Sequence, residues 1–135
     1  MMQTSYGFSV EVALTAEEAD ARVRELLKEE GFGILTEIDV RQTLAEKLGI
    51  EFRPYRILGA CNPPLAHRAL ESEPGIGLLL PCNVVVEARA EGGSRVSFLD
   101  PVAAFRLVGN PDLEPVATDA EARLRRVARQ LWAAD

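Results

Sequence analysis

The chain has 135 residues, of which 47% are hydrophobic and 27% charged, with a net charge of −6. That length suits one domain with one core. The acidic balance, with no basic stripe, speaks against nucleic acid and anionic membrane as partners. No charged segment followed by an apolar one opens the chain, and the longest apolar run is too short to span a bilayer. With two cysteines, this reads as a cytoplasmic protein that needs no disulfide.

Met1–Ser5 reads as a short tail. Tyr6, Phe8, Val10 and Val12 alternate with Gly7, Ser9 and Glu11, which predicts a strand with one wet face. Thr15 to Glu18 has the form of a capping box. The helix it opens is expected to run to about Glu30, burying Ala19, Val23, Leu26 and Leu27, with Gly31 as its stop. A second strand starts near Phe32, with Ile34, Thr36, Ile38 and Val40 on one face and Leu35, Glu37 and Asp39 on the other. Gln42–Leu48 is read either as a short helix stopped by Gly49 or as an ordered loop.

Tyr55–Cys61 is the third strand, with Tyr55, Ile57, Gly59 and Cys61 on one face and Arg56, Leu58 and Ala60 on the other. Asn62-Pro63-Pro64 then changes the period. Asn62 is a good N-cap and Pro63 fits a first helical turn. Leu65, Ala66, Ala69 and Leu70 form the buried side of the helix, which Pro74-Gly75 stops. Cys82–Ala88 is a strand with Val84 and Val86 on the Cys82 face. Glu91-Gly92-Gly93-Ser94 is a hairpin turn, and Arg95–Leu99 returns. Asp100-Pro101 opens a short turn or helix through Phe105. Thr118–Glu121 resembles a second capping box, before a last helix that buries Leu124, Val127 and Leu131.

Half-wet strands predict a mainly antiparallel sheet with helices on one face. The opposite face is expected to carry Leu35, Leu58, Val85 and Leu99, with Glu37, Asp39, Arg56 and Arg95 between them. Aliphatic side chains edged by both signs of charge suit a two-fold contact, so a homodimer through this face is expected. The competing arrangement folds Gln42–Leu48 and Pro101–Phe105 over the same leucines.

Candidate chemistry is concentrated in Phe52–Val86, which holds both cysteines and the only histidine. Cys61, Asn62, His67, Cys82 and Asn83 are taken as a candidate small-molecule site. Cys61 precedes a helix N-terminus, where a thiol pKa falls, and His67 lies in the first turns of that helix. A thiol-dependent enzyme or redox protein using Cys61 with His67 is therefore the alternative to a structural or interaction role. The simpler reading of Cys61 is a packed, inert thiol. His67 stands six positions after Cys61 and Cys82 fifteen after that, without a CxxC or HExxH pattern, so no metal is assigned. No dinucleotide or phosphate-loop pattern is present, so no cofactor is assigned, and no residue is given a catalytic role.

The run Gly31–Val40, then Phe52–Pro63, with Ala66, Ala69-Leu70 and Leu80-Pro81-Cys82-Asn83-Val84, resembles the bacterial and archaeal family called domain of unknown function 302. The resemblance covers nearly the whole chain. It implies a small α+β fold similar to the TATA-binding-protein-like class, a curved antiparallel sheet with helices packed on one face. It implies no reaction, cofactor or catalytic residue. The fold label does not bring DNA binding with it, because the chain lacks a basic, aromatic-studded sheet.

Overall fold

The computed structural model describes residues 1–133. In chain order the elements are β1 (Met2–Gln3), β2 (Gly7–Val12), α1 (Ala16–Glu29), β3 (Gly33–Asp39), α2 (Val40–Leu48), β4 (Tyr55–Cys61), α3 (Pro63–Ser72), β5 (Cys82–Ala88), β6 (Ser94–Leu99), α4 (Pro101–Arg106) and α5 (Glu114–Ala133). Short 3₁₀ turns occupy Pro74–Leu79 and Pro111–Leu113. The strands form one six-stranded sheet in the order β1-β2-β6-β5-β4-β3, with every pairing antiparallel.

The curved, TATA-binding-protein-like sheet expected from the family resemblance does not form. The sheet is open, with β1 and β3 as its free edges, and it neither curls nor closes. Strong curvature needs bulges or kinks in the central strands. Here the register runs without a shift through β2, β6, β5 and β4, and the one irregularity lies between Ile34 and Thr36 on an edge strand. The α+β class with an antiparallel sheet and helices stands.

Alternation decides which strand residues enter the core. Phe8, Val10 and Val12 on β2, Val96 and Phe98 on β6, Cys82, Val84 and Val86 on β5, and Leu58 and Ala60 on β4 are buried beneath the helices. The helices contribute Val23, Leu26 and Leu27 from α1, Leu65 and Ala69 from α3, and Leu124, Val127 and Leu131 from α5. Phe8 stacks on Phe98 at 5.4 Å, and the Arg125 guanidinium lies 4.2 Å above the Phe8 ring, so α5 is seated on β2.

Several local expectations change. Leu58 is fully buried opposite Val84 and belongs to the core, not to the open face. The bulge at Ile34/Thr36 splits the face expected for β3: Ile34 packs toward the core, while Thr36 and Ile38 lie opposite Gly59 and Ile57 on the other side. Tyr6 lies outside β2 and is exposed, and Met2–Gln3 of the expected tail pairs with β2. α5 starts at Glu114, directly after the 3₁₀ turn capped by Asn110, so Thr118 is inside the helix and caps nothing. Thr15 and Glu18 do form the reciprocal capping box of α1, and Gln42–Leu48 is helical within α2. No residue of α2 is buried, so it lays no core over the open face.

Candidate functional site

The β4–α3 turn is organised by Asn62. Its backbone is extended while Pro63 and Pro64 begin the helix, and its Oδ1 accepts the Leu65 N–H at 3.3 Å. Its Nδ2 donates to the Glu30 carbonyl at 3.3 Å, where Arg123 Nη1 also donates at 3.1 Å. Gly31 sits beneath this amide with φ +85°, and a Cβ there would come within 2.9 Å of Asn62 Nδ2. One buried amide thus joins the start of α3 to the end of α1, and Arg123 brings α5 to the same carbonyl. Both functions of the Asn62 side chain are met within the chain.

Cys61, Asn62 and Cys82 line one small cavity of about 30 Å³, with Phe32, Leu65 and Leu80 among its apolar walls. That volume is roughly one water molecule's share of the liquid. Both thiols are free. Burial, with the neighbouring Cys61 as a smaller cause, pushes the Cys82 thiol up to about 11. Burial also raises Cys61. Desolvation of the thiolate therefore outweighs the helix N-terminus, and both groups stay protonated at neutral pH. A nucleophilic cysteine needs the opposite shift.

His67 and Asn83 do not join these residues. His67 is on the exposed side of α3, its Nε2 3.3 Å from Glu71 Oε1. Asn83 is exposed on the opposite sheet face, across from Gly59. Among the described residues, no group of three His, Cys, Asp or Glu side chains is placed to hold a metal ion.

A charged cluster absent from the sequence reading lies between α1 and the β3–β4 edge. Asp20 is 6% exposed, and its Oδ1 accepts from Arg24 Nε at 2.6 Å. Its Oδ2 faces Arg56 Nη1 at 3.4 Å, and Arg24 Nη2 donates to Glu37 at 2.8 Å. The cluster forms the floor of a groove of about 780 Å³ that also reaches α2. Its signal in the sequence is an acid between Ala19 and Val23 in the apolar stripe, followed at i+4 by an arginine. Arg56 Nε also lies 4.0 Å from Glu37 Oε1, at the outer edge of this network.

The helix-free face is legible from the register. One row across it is Ser9, Ser97, Val85, Ile57 and Ile38. The next row is Glu11, Arg95, Glu87 and Tyr55, with Arg53 bonded to Glu87 at 2.9 Å. Ile38 is 50% exposed, and Leu35, at the bulge, is 67% exposed. No helix of the described residues is long and apolar enough to cross a membrane.

Comparison with known proteins gives one consistent answer. The family model described as "Domain of unknown function DUF302" matches residues 8–131. Among solved structures, the chain is similar to the "uncharacterized conserved protein DUF302 from Bacillus stearothermophilus", with 32% identity and a TM-score of 0.87. The match covers 95% of this chain and 99% of that one. No curated protein matches.

Proposed function

The chain belongs to the DUF302 family, and from that premise we propose that it is a cytoplasmic interaction domain that pairs as a homodimer through its helix-free sheet face. The observation that carries this reading is the contiguous apolar strip Ile38–Ile57–Val85, bordered by the row Glu11–Arg95–Glu87 of alternating sign. Fully burying an aliphatic side chain is worth about 1.5–3 kcal/mol, so covering such a strip is favourable. Under a two-fold axis, an acid of one copy meets an arginine of the other, and each contact occurs twice. The ion pairs select register more than they add affinity. Two free thiols suit a reducing cytoplasm.

Sedimentation of the wild type and of Ile57→Asp tests the reading. The wild type is expected to be a dimer and the variant a folded monomer with unchanged circular dichroism. A monomeric wild type at micromolar concentration, or a variant that stays dimeric, would overturn it.

A further inference from the structure

We propose that the pocket between α4 and the start of α5 binds a free α-amino acid with an aliphatic side chain. The pocket holds about 230 Å³. That is on the order of eight waters' share of liquid volume, a scale that suits leucine and is too small for a nucleotide. Phe105, Leu113 and Ala117 form an apolar floor and are themselves buried core residues. Arg106 and Glu114 stand on the rim.

Three observations select the ligand. Arg106 and Glu114 are exposed, and among the described residues neither is paired with the other or with another charged side chain. Further along α5, by contrast, Arg123, Arg125 and Arg126 are each held by a carboxylate. The helix that ends at Arg106 and the connection that leads to Glu114 are also tied down. Asp100 caps α4 through the Val102 and Ala103 N–H groups at 2.9 and 3.2 Å. Asn110 donates to the Ser72 carbonyl at 3.0 Å and to Glu73 at 3.1 Å. The site is thus anchored at both ends before any ligand arrives, which lowers the ordering cost of binding.

A simple anion would face Glu114, a simple amine would face Arg106, and a wholly apolar molecule would leave both charges unused. A zwitterion with an aliphatic side chain meets all three surfaces. Its carboxylate takes the guanidinium fork of Arg106, its ammonium takes the Glu114 carboxylate, and its side chain rests on Phe105, Leu113 and Ala117.

The test titrates L-leucine, isocaproate, isoamylamine and glycine into the full chain and follows backbone amide shifts by NMR. Leucine is expected to shift residues 102–117 saturably. Isocaproate lacks the ammonium and isoamylamine the carboxylate, and each is expected to bind at least about tenfold more weakly. Arg106→Gln should remove the advantage of leucine over isoamylamine, and Glu114→Gln its advantage over isocaproate. Both positions are on the surface, so both variants are expected to fold. The proposal is overturned by no saturable shift at this pocket up to the solubility limit of leucine. It is equally overturned if isocaproate and isoamylamine bind as well as leucine, if glycine does so, or if neither variant changes the ranking.

Discussion

The hydroxyl of Thr36 occupies the space that a side chain on Gly59 would need. The two residues are cross-strand partners, and a Cβ built on Gly59 collides with Thr36 Oγ1 and comes within 2.7 Å of Pro81 Cγ. Gly59 is therefore required by close approach rather than by an unusual backbone angle. Gly59→Ala is expected to destabilise the fold by about 1–3 kcal/mol, the usual cost of overpacking. Thr36→Ala in the same chain should recover part of the loss, leaving the Pro81 contact. Urea denaturation of the two single variants and the double variant checks this, because contacting residues show a coupling that independent ones do not.

Ile57 and Leu58 are neighbours in sequence with opposite roles. Leu58 is fully buried in the core, whereas Ile57 lies half-buried on the helix-free face. Leu58→Ala should cost about 2–5 kcal/mol at any protein concentration, as cavity formation does. Ile57→Ala should act mainly on association. Its effect on the unfolding midpoint should grow with protein concentration, following mass action. Urea midpoints measured at two widely separated concentrations separate the two behaviours.

Asn62→Ala removes the N-cap of α3 and the bond to the Glu30 carbonyl together. Loss of a cap alone costs about 0.5–2 kcal/mol. Asn62→Asp keeps the cap acceptor but turns a donor toward a carbonyl into an acceptor. It should therefore fail to restore wild-type stability, although aspartate caps helices as well as asparagine does. Thermal unfolding of both variants is the measurement.

Stability should fall in alkali between about pH 9 and pH 11. In the unfolded chain Cys82 loses its proton near its ordinary value of 9.0, whereas burial holds the folded thiol protonated to about 11. Across that window the folded state binds more protons than the unfolded state, so the unfolding free energy declines as pH rises. The contribution is about 3 kcal/mol, fully present below pH 9 and lost by pH 11. Cys82→Ala should show a shallower decline than the wild type in urea titrations across this range. An identical slope would mean that Cys82 is solvated in the folded protein.

Local signals determined most of the elements. The Thr15–Glu18 box, the Asn62-Pro63 helix start, the Gly92-Gly93 hairpin and the alternation of Cys82, Val84 and Val86 each depend on residues within a few positions of one another. They read correctly because capping, turn formation and pleating act over that range. The tertiary structure decided what period alone leaves open. Alternation on β4 separates Ile57 from Leu58 but does not say which face the helices cover, since both faces of that strand carry an aliphatic residue. The bulge at Ile34/Thr36 exchanged the faces of β3 partway along the strand, a change that arises only in pairing with β4. That the sheet stays open likewise depends on register kept across four strands. Cys61, Asn62 and Cys82 share a cavity because β4 and β5 pair there, while His67, much closer to Cys61 in sequence than Cys82 is, is turned away by the pitch of α3. Asp20, Arg24 and Arg56 come together from a helix and a strand far apart in the chain. Burying the Asp20 carboxylate costs solvation, and only the fold sets Arg24 and Arg56 beside it to offset that cost.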